Sequence, residues 1–174
     1  CADAVRQCMV RSGLDARLID GYGPSAVYGE RIADPNGPTV LLYGHYDVQP
    51  AEAATSWLSP PFEPVVRDGR MYGRGSSDNK GQHLAQLWGI RAFLAARGEL
   101  PVNVKVLIEG EEEVGSPHLA DLVRAHRELL RADVAVTSDG PVHRSGTPQL
   151  VLGARGQLGI ELRAAVGRAP VLPH

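Results

Sequence analysis

Six side chains in this 174-residue sequence have the types and spacing that metal-dependent chemistry requires: His45, Asp47, Asp78, Glu112, Glu113 and Asp139. The histidine and the first aspartate follow one apolar run, the two glutamates follow a second, and the last aspartate follows a third. One imidazole and several carboxylates around an open position suit catalytic zinc, with manganese and cobalt as the alternatives. Carboxylates that converge without a cation repel one another and hold protons at neutral pH. Convergence of these groups would therefore predict bound divalent ions.

Each of these residues also has a structural explanation. A lone histidine after a strand is more often a surface residue than a ligand, and an acidic run such as 109–113 is by composition a solvated loop. Asp78 could cap the helix that follows it, and Asp139 could belong to an ordinary turn. The spacing of His45 and Asp47 favours chemistry. Residues two positions apart on a strand have side chains on the same face. There the Asp47 carboxylate can accept the N–H of the His45 imidazole and fix which nitrogen meets a metal.

The elements that must position these groups alternate between strand and helix. Strands are predicted at 16–19, 26–28, 39–43, 65–66, 71–72, 102–108 and 133–137, with a tight Asp68-Gly69 turn inside a hairpin. Helices are predicted at 2–12, at 80–97 and after residue 116. This order predicts an α/β fold with a mixed, largely parallel central sheet and helices on both faces. In such sheets the carboxyl ends of the strands surround the ligand crevice, so the six side chains are expected to converge.

Two amphipathic helices carry specific expectations. The helix at 80–97 ends before Gly98, and its predicted buried stripe is Leu84, Leu87, Trp88, Arg91 and Leu94. The next helix is predicted to begin with Ser116 as N-cap and Pro117 as first residue. Its predicted buried stripe is Leu119, Leu122, Val123, His126 and Leu130.

Composition narrows the classes of function. The chain is 43% hydrophobic, which is enough for one globular core, and its formal net charge of -2 comes from 18 basic and 20 acidic side chains. This balance predicts no nucleic-acid or anionic-lipid partner. No apolar run reaches about 18 residues and no signal-peptide pattern opens the chain, so the prediction is a cytoplasmic protein. Cys1 and Cys8 are expected to be free thiols.

Four sequence strings resemble the metal-site motifs of a known family. LLYGHYDVQP, MYGRGSSDNKGQ, IEGEEEVGSP and VTSDG resemble, in the same order, the motifs of the M20 metallopeptidases. This family includes carnosine dipeptidases, glutamate carboxypeptidases and aminoacylases, and the sequence is most similar to the bacterial dipeptidase and cytosolic carnosinase branch. The resemblance covers nearly the whole chain.

The resemblance implies roles for the six residues. It makes Asp78 the bridge between two divalent ions, with zinc favoured. It implies that His45 and Asp139 bind one ion and that Glu113 binds the other. It also implies that Glu112 is the general base and that Asp47 orients His45. Because the family places base and ligand just before x-Gly-Ser, Glu109 and Glu111 are expected to be bystanders. The implied reaction is hydrolysis of an amide in short peptides or N-acyl amino acids, by a water activated between the ions.

Two departures from the family pattern carry expectations. Asn79 stands where most relatives of this branch have a second Asp, after a peptide bond that is cis in the family. Relatives continue after position 156 into a lid and dimerisation domain, and then return a last histidine to the metal site. We therefore expect residues 1–155 to be the N-terminal portion of a catalytic domain, and 156–174 to be the start of a truncated lid. His174 has the wrong spacing for the lid histidine of relatives.

These expectations lead to a main hypothesis and two alternatives. The parent is expected to be a dinuclear dipeptidase that dimerises through its lid, while this chain by itself is expected to be inactive. The alternatives are an N-acyl-amino-acid amidohydrolase of the aminoacylase or desuccinylase type, and a non-catalytic module.

Overall fold

The computed structural model describes residues 1–51, 56–141, 143–147, 149–153, 156 and 158–163. The chain divides into two compact units, Cys1–Gly140 and Pro141–His174. All helices and strands of the described residues belong to the first unit. The domain boundary after residue 155 stays a prediction, and His174 lies outside the described residues.

The described residues of the first unit form four α-helices and seven strands. The helices are α1 (Ala2–Arg11), α2 (Lys80–Arg97), α3 (Leu119–Ala125) and α4 (Arg127–Leu130). The strands are β1 (Asp15–Ile19), β2 (Ala26–Arg31), β3 (Thr39–His45), β4 (Val65–Arg67), β5 (Arg70–Tyr72), β6 (Asn103–Glu109) and β7 (Val134–Thr137). A 3₁₀ turn, Glu112–Val114, follows β6. None of the described helices is long and apolar enough to cross a membrane.

Five strands form one mixed sheet in the order β1-β2-β6-β3-β7. The pairs β1-β2 and β2-β6 are antiparallel, whereas β6-β3 and β3-β7 are parallel. The register places His45 beside Glu109 and Tyr43 beside Thr137. The carboxyl ends of β3, β6 and β7 therefore lie side by side at one edge, as the sequence predicted. The mixed α/β fold is confirmed.

Helices cover both faces of this sheet. Side chains of α1 and α2 pack on one face in a cluster that includes Met9, Leu87, Val106 and Ile108. Side chains of α3 and α4 pack on the other face in a cluster that includes Leu122, Leu130, Tyr28 and Leu107. Neighbouring residues of β6 thus point to opposite faces, as the two-residue period of a strand requires.

The strand that carries His45 is less buried than its apolar run predicts. Only Gly44 and His45 of β3 are fully buried, and its first five residues are half-buried. Its outer neighbour is β7, whose four residues are all exposed, so this end of the sheet is less covered than the part formed by β2 and β6. The β4-β5 hairpin has the predicted turn, with positive φ angles of 49° at Asp68 and 71° at Gly69.

Helix α2 has the predicted bounds but a different buried face. It ends before Gly98, whose φ is 81°, and its buried residues are His83, Leu87 and Ile90. Trp88 is 63% exposed, and Arg91 is also exposed, so the predicted stripe was wrong at these positions. Successive helix residues are rotated by about 100° around the helix axis. The positions of the apolar residues in the sequence therefore do not show which side of the helix packs against the sheet.

The helix predicted after residue 116 begins later and is interrupted. Its N-cap is His118 rather than Ser116, and His126 separates α3 from α4. Ser116 has a φ of 50°, and its hydroxyl donates to Glu109 Oε1 at 2.6 Å instead of capping the helix. Val123, predicted to be buried, is 40% exposed.

Candidate metal centre

Three carboxylates from separate segments face one nitrogen of His45. The imidazole is completely buried at the end of β3. Its Nε2 lies 3.1 Å from Asp78 Oδ1, 3.2 Å from Asp139 Oδ2 and 3.8 Å from Glu112 Oε2. Asp78 comes from the loop before α2, Asp139 follows β7 and Glu112 follows β6. The structure thus brings together residues that are up to 94 positions apart in the sequence.

The other nitrogen of His45 faces Asp47. Nδ1 lies 3.2 Å from Asp47 Oδ1 and 3.2 Å from the Asp47 carbonyl oxygen. Both atoms are acceptors, so Nδ1 donates to them, and the proton that a bound ion would displace is the one on Nε2, which would leave the lone pair of the neutral ring there. That lone pair points toward the carboxylates. This is the arrangement that metal-binding histidines normally have.

Asp47 also holds the turn that carries the two glutamates. Its Oδ1 accepts the backbone N–H of Glu112 at 3.3 Å, and its Oδ2 accepts that of Glu113 at 3.0 Å. One carboxylate therefore orients His45 and the 3₁₀ turn at the same time. The sequence predicted the contact with His45 but not the contacts with the turn.

Gln49 is a further residue of the site that the sequence interpretation missed. Its backbone N–H donates to Glu113 Oε1 at 3.1 Å. Its side-chain amide donates to Glu113 Oε2 and to the Glu113 carbonyl, both at 3.0 Å. Both carboxylate oxygens of Glu113 are thereby held in place. Gln49 follows Asp47 by two residues, and this spacing is the one signal that could have identified it.

Glu109, expected to have no role at the metal, is a buried residue that anchors the acidic turn. It is 5% exposed, and its Oε1 accepts the hydroxyls of Tyr43 at 2.5 Å and Ser116 at 2.6 Å. Burial, together with the hydrogen bond to Glu109, raises the pKa of Tyr43 well above its ordinary value. Glu111 contacts His118 Nδ1 at 2.7 Å and not His45.

The electrostatics of the centre favour a cation. Burial lowers the pKa of His45, but the surrounding carboxylates outweigh burial and raise the pKa above its ordinary value. The contributors, in decreasing order, are Glu112, Asp47, Asp139 and Asp78. Burial raises the pKa of Glu112, and repulsion by nearby carboxylates adds to this effect. The carboxylates around Glu112 thus raise the cost of ionising it, and a divalent ion would remove that cost.

Among the residues that the structure describes, two groups of three ligand atoms lie close enough to hold an ion. One group is His45, Asp78 and Glu113, and the other is His45, Glu112 and Asp139. Within each group the ligand atoms lie within 4.8 Å of one another. A histidine nitrogen with carboxylate oxygens is a donor set that zinc accepts. The residues present therefore fit a divalent metal ion.

Asp47→Asn is expected to weaken zinc binding by about 10–100-fold, the range that follows loss of an outer partner of a metal ligand. An asparagine has one acceptor oxygen, so it cannot serve the His45 ring and both backbone N–H groups of the turn. The measurement is zinc affinity by competition with a chromophoric chelator. Asp121→Asn is the matched control, because Asp121 is exposed and its ion-pair partner among the described residues is Arg124 on the surface. Equal affinities in both variants would contradict the role of Asp47.

Comparison with known proteins places the chain among metallopeptidases. The Peptidase family M20/M25/M40 matches residues 41–173. Human Beta-Ala-His dipeptidase is 41% identical over 145 residues, which are 80% of this chain and 29% of that protein. Cysteinylglycine-S-conjugate dipeptidase of Corynebacterium striatum is 41% identical over 138 residues, which are 78% of this chain and 30% of that protein. The chain thus spans less than a third of the length of these relatives.

A solved structure of the same family is similar to this chain in fold and in sequence. The M20 family metallo-carboxypeptidase Sso-CP2 from Sulfolobus solfataricus superposes with a TM-score of 0.78 at 37% identity. The superposition covers 85% of this chain and 34% of the other.

Proposed function

Because the chain belongs to peptidase family M20/M25/M40, we propose that it supplies the metal ligands and the general base of an enzyme that hydrolyses the amide bond of dipeptides or short peptides. The observation that carries this proposal is the convergence of three carboxylates on His45 Nε2, while Asp47 holds Nδ1. A buried imidazole that is oriented on one side and faces several acids on the other is the arrangement of a catalytic metal ligand.

We propose a centre of two divalent ions, zinc in first place, with manganese and cobalt as alternatives. The described residues offer a nitrogen ligand to only one of these ions, so the second ion would bind weakly to this chain by itself. His45 and Asp139 would hold one ion, Glu113 would hold the other, and Asp78 would bridge them. Ions bound there supply Lewis acidity, which lowers the pKa of water in the site and polarises the scissile carbonyl. Gln49 keeps Glu113 turned toward the site through both of its oxygens.

Glu112 is the proposed general base. Its carboxylate lies beside the ligands, 3.8 Å from His45 Nε2, and its side chain is 41% exposed, so water and substrate can reach it. It takes a proton from the attacking water and returns the proton to the leaving amine. Asp47 positions both the general base and a metal ligand, because it holds the backbone of Glu112 and the ring of His45.

Dipeptides are the proposed substrates because the similar proteins in human and Corynebacterium striatum are named as dipeptidases. N-acyl amino acids are the alternative that the sequence left open. Homodimerisation and a cytoplasmic location stay predictions.

Substrate class is tested by release of free amino acids from a panel of dipeptides and from N-acetyl and N-succinyl amino acids. Because this chain by itself is expected to be inactive, it is assayed within the longer parent enzyme that the family resemblance implies, as purified, after chelator treatment and after zinc is restored. We expect dipeptide hydrolysis that chelation abolishes and zinc restores. A preference for the N-acyl amino acids would favour the alternative, and hydrolysis that survives chelation would contradict the metal-dependent mechanism.

A further inference from the structure

We propose that Asn79 and Gln82 form an amide relay that positions His45, Asp78 and Asp139 relative to one another. This inference rests on the proposed metal centre, because it concerns how the ligands of that centre are held. Neither amide touches the reacting groups in the proposed mechanism, so both are positioning residues.

The relay joins three segments of the fold. Asn79 is completely buried, and it follows Asp78 directly, through a cis peptide bond as the family resemblance implied. Its Oδ1 accepts the backbone N–H of His45 at 3.1 Å, and its Nδ2 donates to Gln82 Oε1 at 2.7 Å. Gln82 Nε2 then donates to the Gly140 carbonyl at 2.7 Å. The end of β3, the start of α2 and the segment after β7 are therefore connected by side-chain hydrogen bonds.

The relay closes into a ring through the metal site. The backbone N–H of Gly140 donates to Asp139 Oδ1 at 2.6 Å, while Asp139 Oδ2 lies 3.2 Å from His45 Nε2. Gly140 thus fixes Asp139 through one oxygen and leaves the other oxygen for the site. Movement of Gly140 away from Gln82 would carry Asp139 away from His45.

The direction of every hydrogen bond in the relay is fixed by its two ends. The His45 end is a backbone N–H, which can only donate, and the Gly140 end is a carbonyl, which can only accept. Asn79 must therefore present its oxygen to His45 and its NH₂ to Gln82. Gln82 in turn must present its oxygen to Asn79 and its NH₂ to Gly140. Two amides in this order give a hydrogen-bond partner to the His45 N–H, to each other and to the Gly140 carbonyl.

The backbone leaves space for the relay at Gly44. A Cβ built on Gly44 would lie 2.5 Å from Asn79 Oδ1 and 3.2 Å from Ile108 Cδ1. The absence of a side chain at position 44 therefore allows Asn79 to reach the N–H of His45.

Because the donors and acceptors of the relay are fixed, an aspartate at position 79 would break the relay in this chain. A carboxylate accepts from His45 but cannot donate to Gln82. If the Gln82 amide turned to donate to the carboxylate, its oxygen would face the Gly140 carbonyl. A lysine at position 82 would restore the pattern, because an ammonium group can donate both to the introduced carboxylate and to the Gly140 carbonyl. The asparagine of this chain is thus matched to its glutamine.

The test compares three single variants, Asn79→Asp, Gln82→Lys and Gln82→Met, with the double variant that combines Asn79→Asp and Gln82→Lys. Gln86→Met is the matched control, since Gln86 lies one turn further along α2 and its side-chain oxygen has no hydrogen-bond partner among the described residues. The first readout is hydrogen exchange of the His45 backbone amide in the metal-free protein. We expect faster exchange in the three single relay variants, and recovery in the double variant.

The second readout is zinc affinity, with the absorption spectrum of the Co²⁺ form as a measure of ligand geometry. Each single relay variant should lose about 10-fold or more in zinc affinity, as expected when the outer support of a ligand is removed, and the double variant should recover. Unchanged exchange in the single variants, or no rescue in the double variant, would overturn the relay. If the unaltered chain binds no zinc, the proposed metal centre fails, and the relay is still decided by the exchange data.

Discussion

Glu112→Gln, made in the longer parent enzyme that the family resemblance implies, is expected to lower dipeptide turnover by at least about a hundredfold, the size typical for loss of a general base. The zinc content of the purified protein should stay unchanged. Glutamine keeps the size of the side chain and an acceptor oxygen, but it cannot take a proton from water at neutral pH. The position of Glu112, beside the ligands yet partly exposed, is what a proton-transfer group requires.

The neighbouring glutamates provide the controls for this experiment. Glu111→Gln makes the same change on the same segment at a residue that contacts His118, so near-normal turnover is expected. Glu113→Gln should lower zinc occupancy, because Glu113 is a proposed ligand. Loss of zinc in Glu112→Gln would show that Glu112 is a ligand, a role that its grouping with His45 and Asp139 also allows. Normal turnover would assign the base to another residue.

His45→Ala is expected to weaken zinc binding by more than the roughly 10–100-fold that loss of an outer partner causes. The reason is the shared position of His45 in both groups of ligand atoms. Its removal leaves carboxylates alone, and zinc sites of this kind normally include nitrogen or sulfur donors. Isothermal titration calorimetry of the folded variant measures the change.

His118→Ala is the matched control for the histidine substitution. His118 is exposed, and it contacts Glu111 rather than the ligand groups. It should bind zinc as the unaltered chain does. Circular dichroism before each titration ensures that the variants compared are folded.

The ends of apolar strands carried most of the information about the site. His45, the 112–113 pair and Asp139 each follow a strand, and parallel pairing of β6, β3 and β7 brings these ends to one edge. The spacing of His45 and Asp47 predicted the contact between them for a similar reason, since alternate residues of an extended chain share a face. The positions of these residues after strands therefore predicted that the charged groups converge, whereas the choice of ligands and base, including Asp78, rested on the family resemblance.

The neutral amides of the site were not predictable in the same way. Gln49, Asn79 and Gln82 carry no charge, and a single glutamine or asparagine is common on any surface. Their roles depend on partners far away in the sequence, such as Gly140 for Gln82 and Glu113 for Gln49. Only the folded chain shows that these amides fix the carboxylates and the backbone of the ligand segments.

Helix faces and caps also required tertiary information. Ser116 had the residue type of an N-cap, but the buried carboxylate of Glu109 takes its hydroxyl and α3 starts three residues later. Trp88 is apolar and lies one position after a core residue, yet α2 turns it away from the sheet. In both cases a partner distant in sequence decided between two local possibilities.

Zinc titration of the unaltered 174-residue chain at neutral pH is the most direct test of the proposed centre. Both groups of ligand atoms depend on His45, and its Nε2 lone pair can bind only one ion, so the described residues offer a nitrogen ligand for a single zinc. We predict one tightly bound zinc ion per chain, with loss of that binding in His45→Ala. Two tight ions per chain, or binding that is indifferent to His45, would contradict the assignment of the ligands.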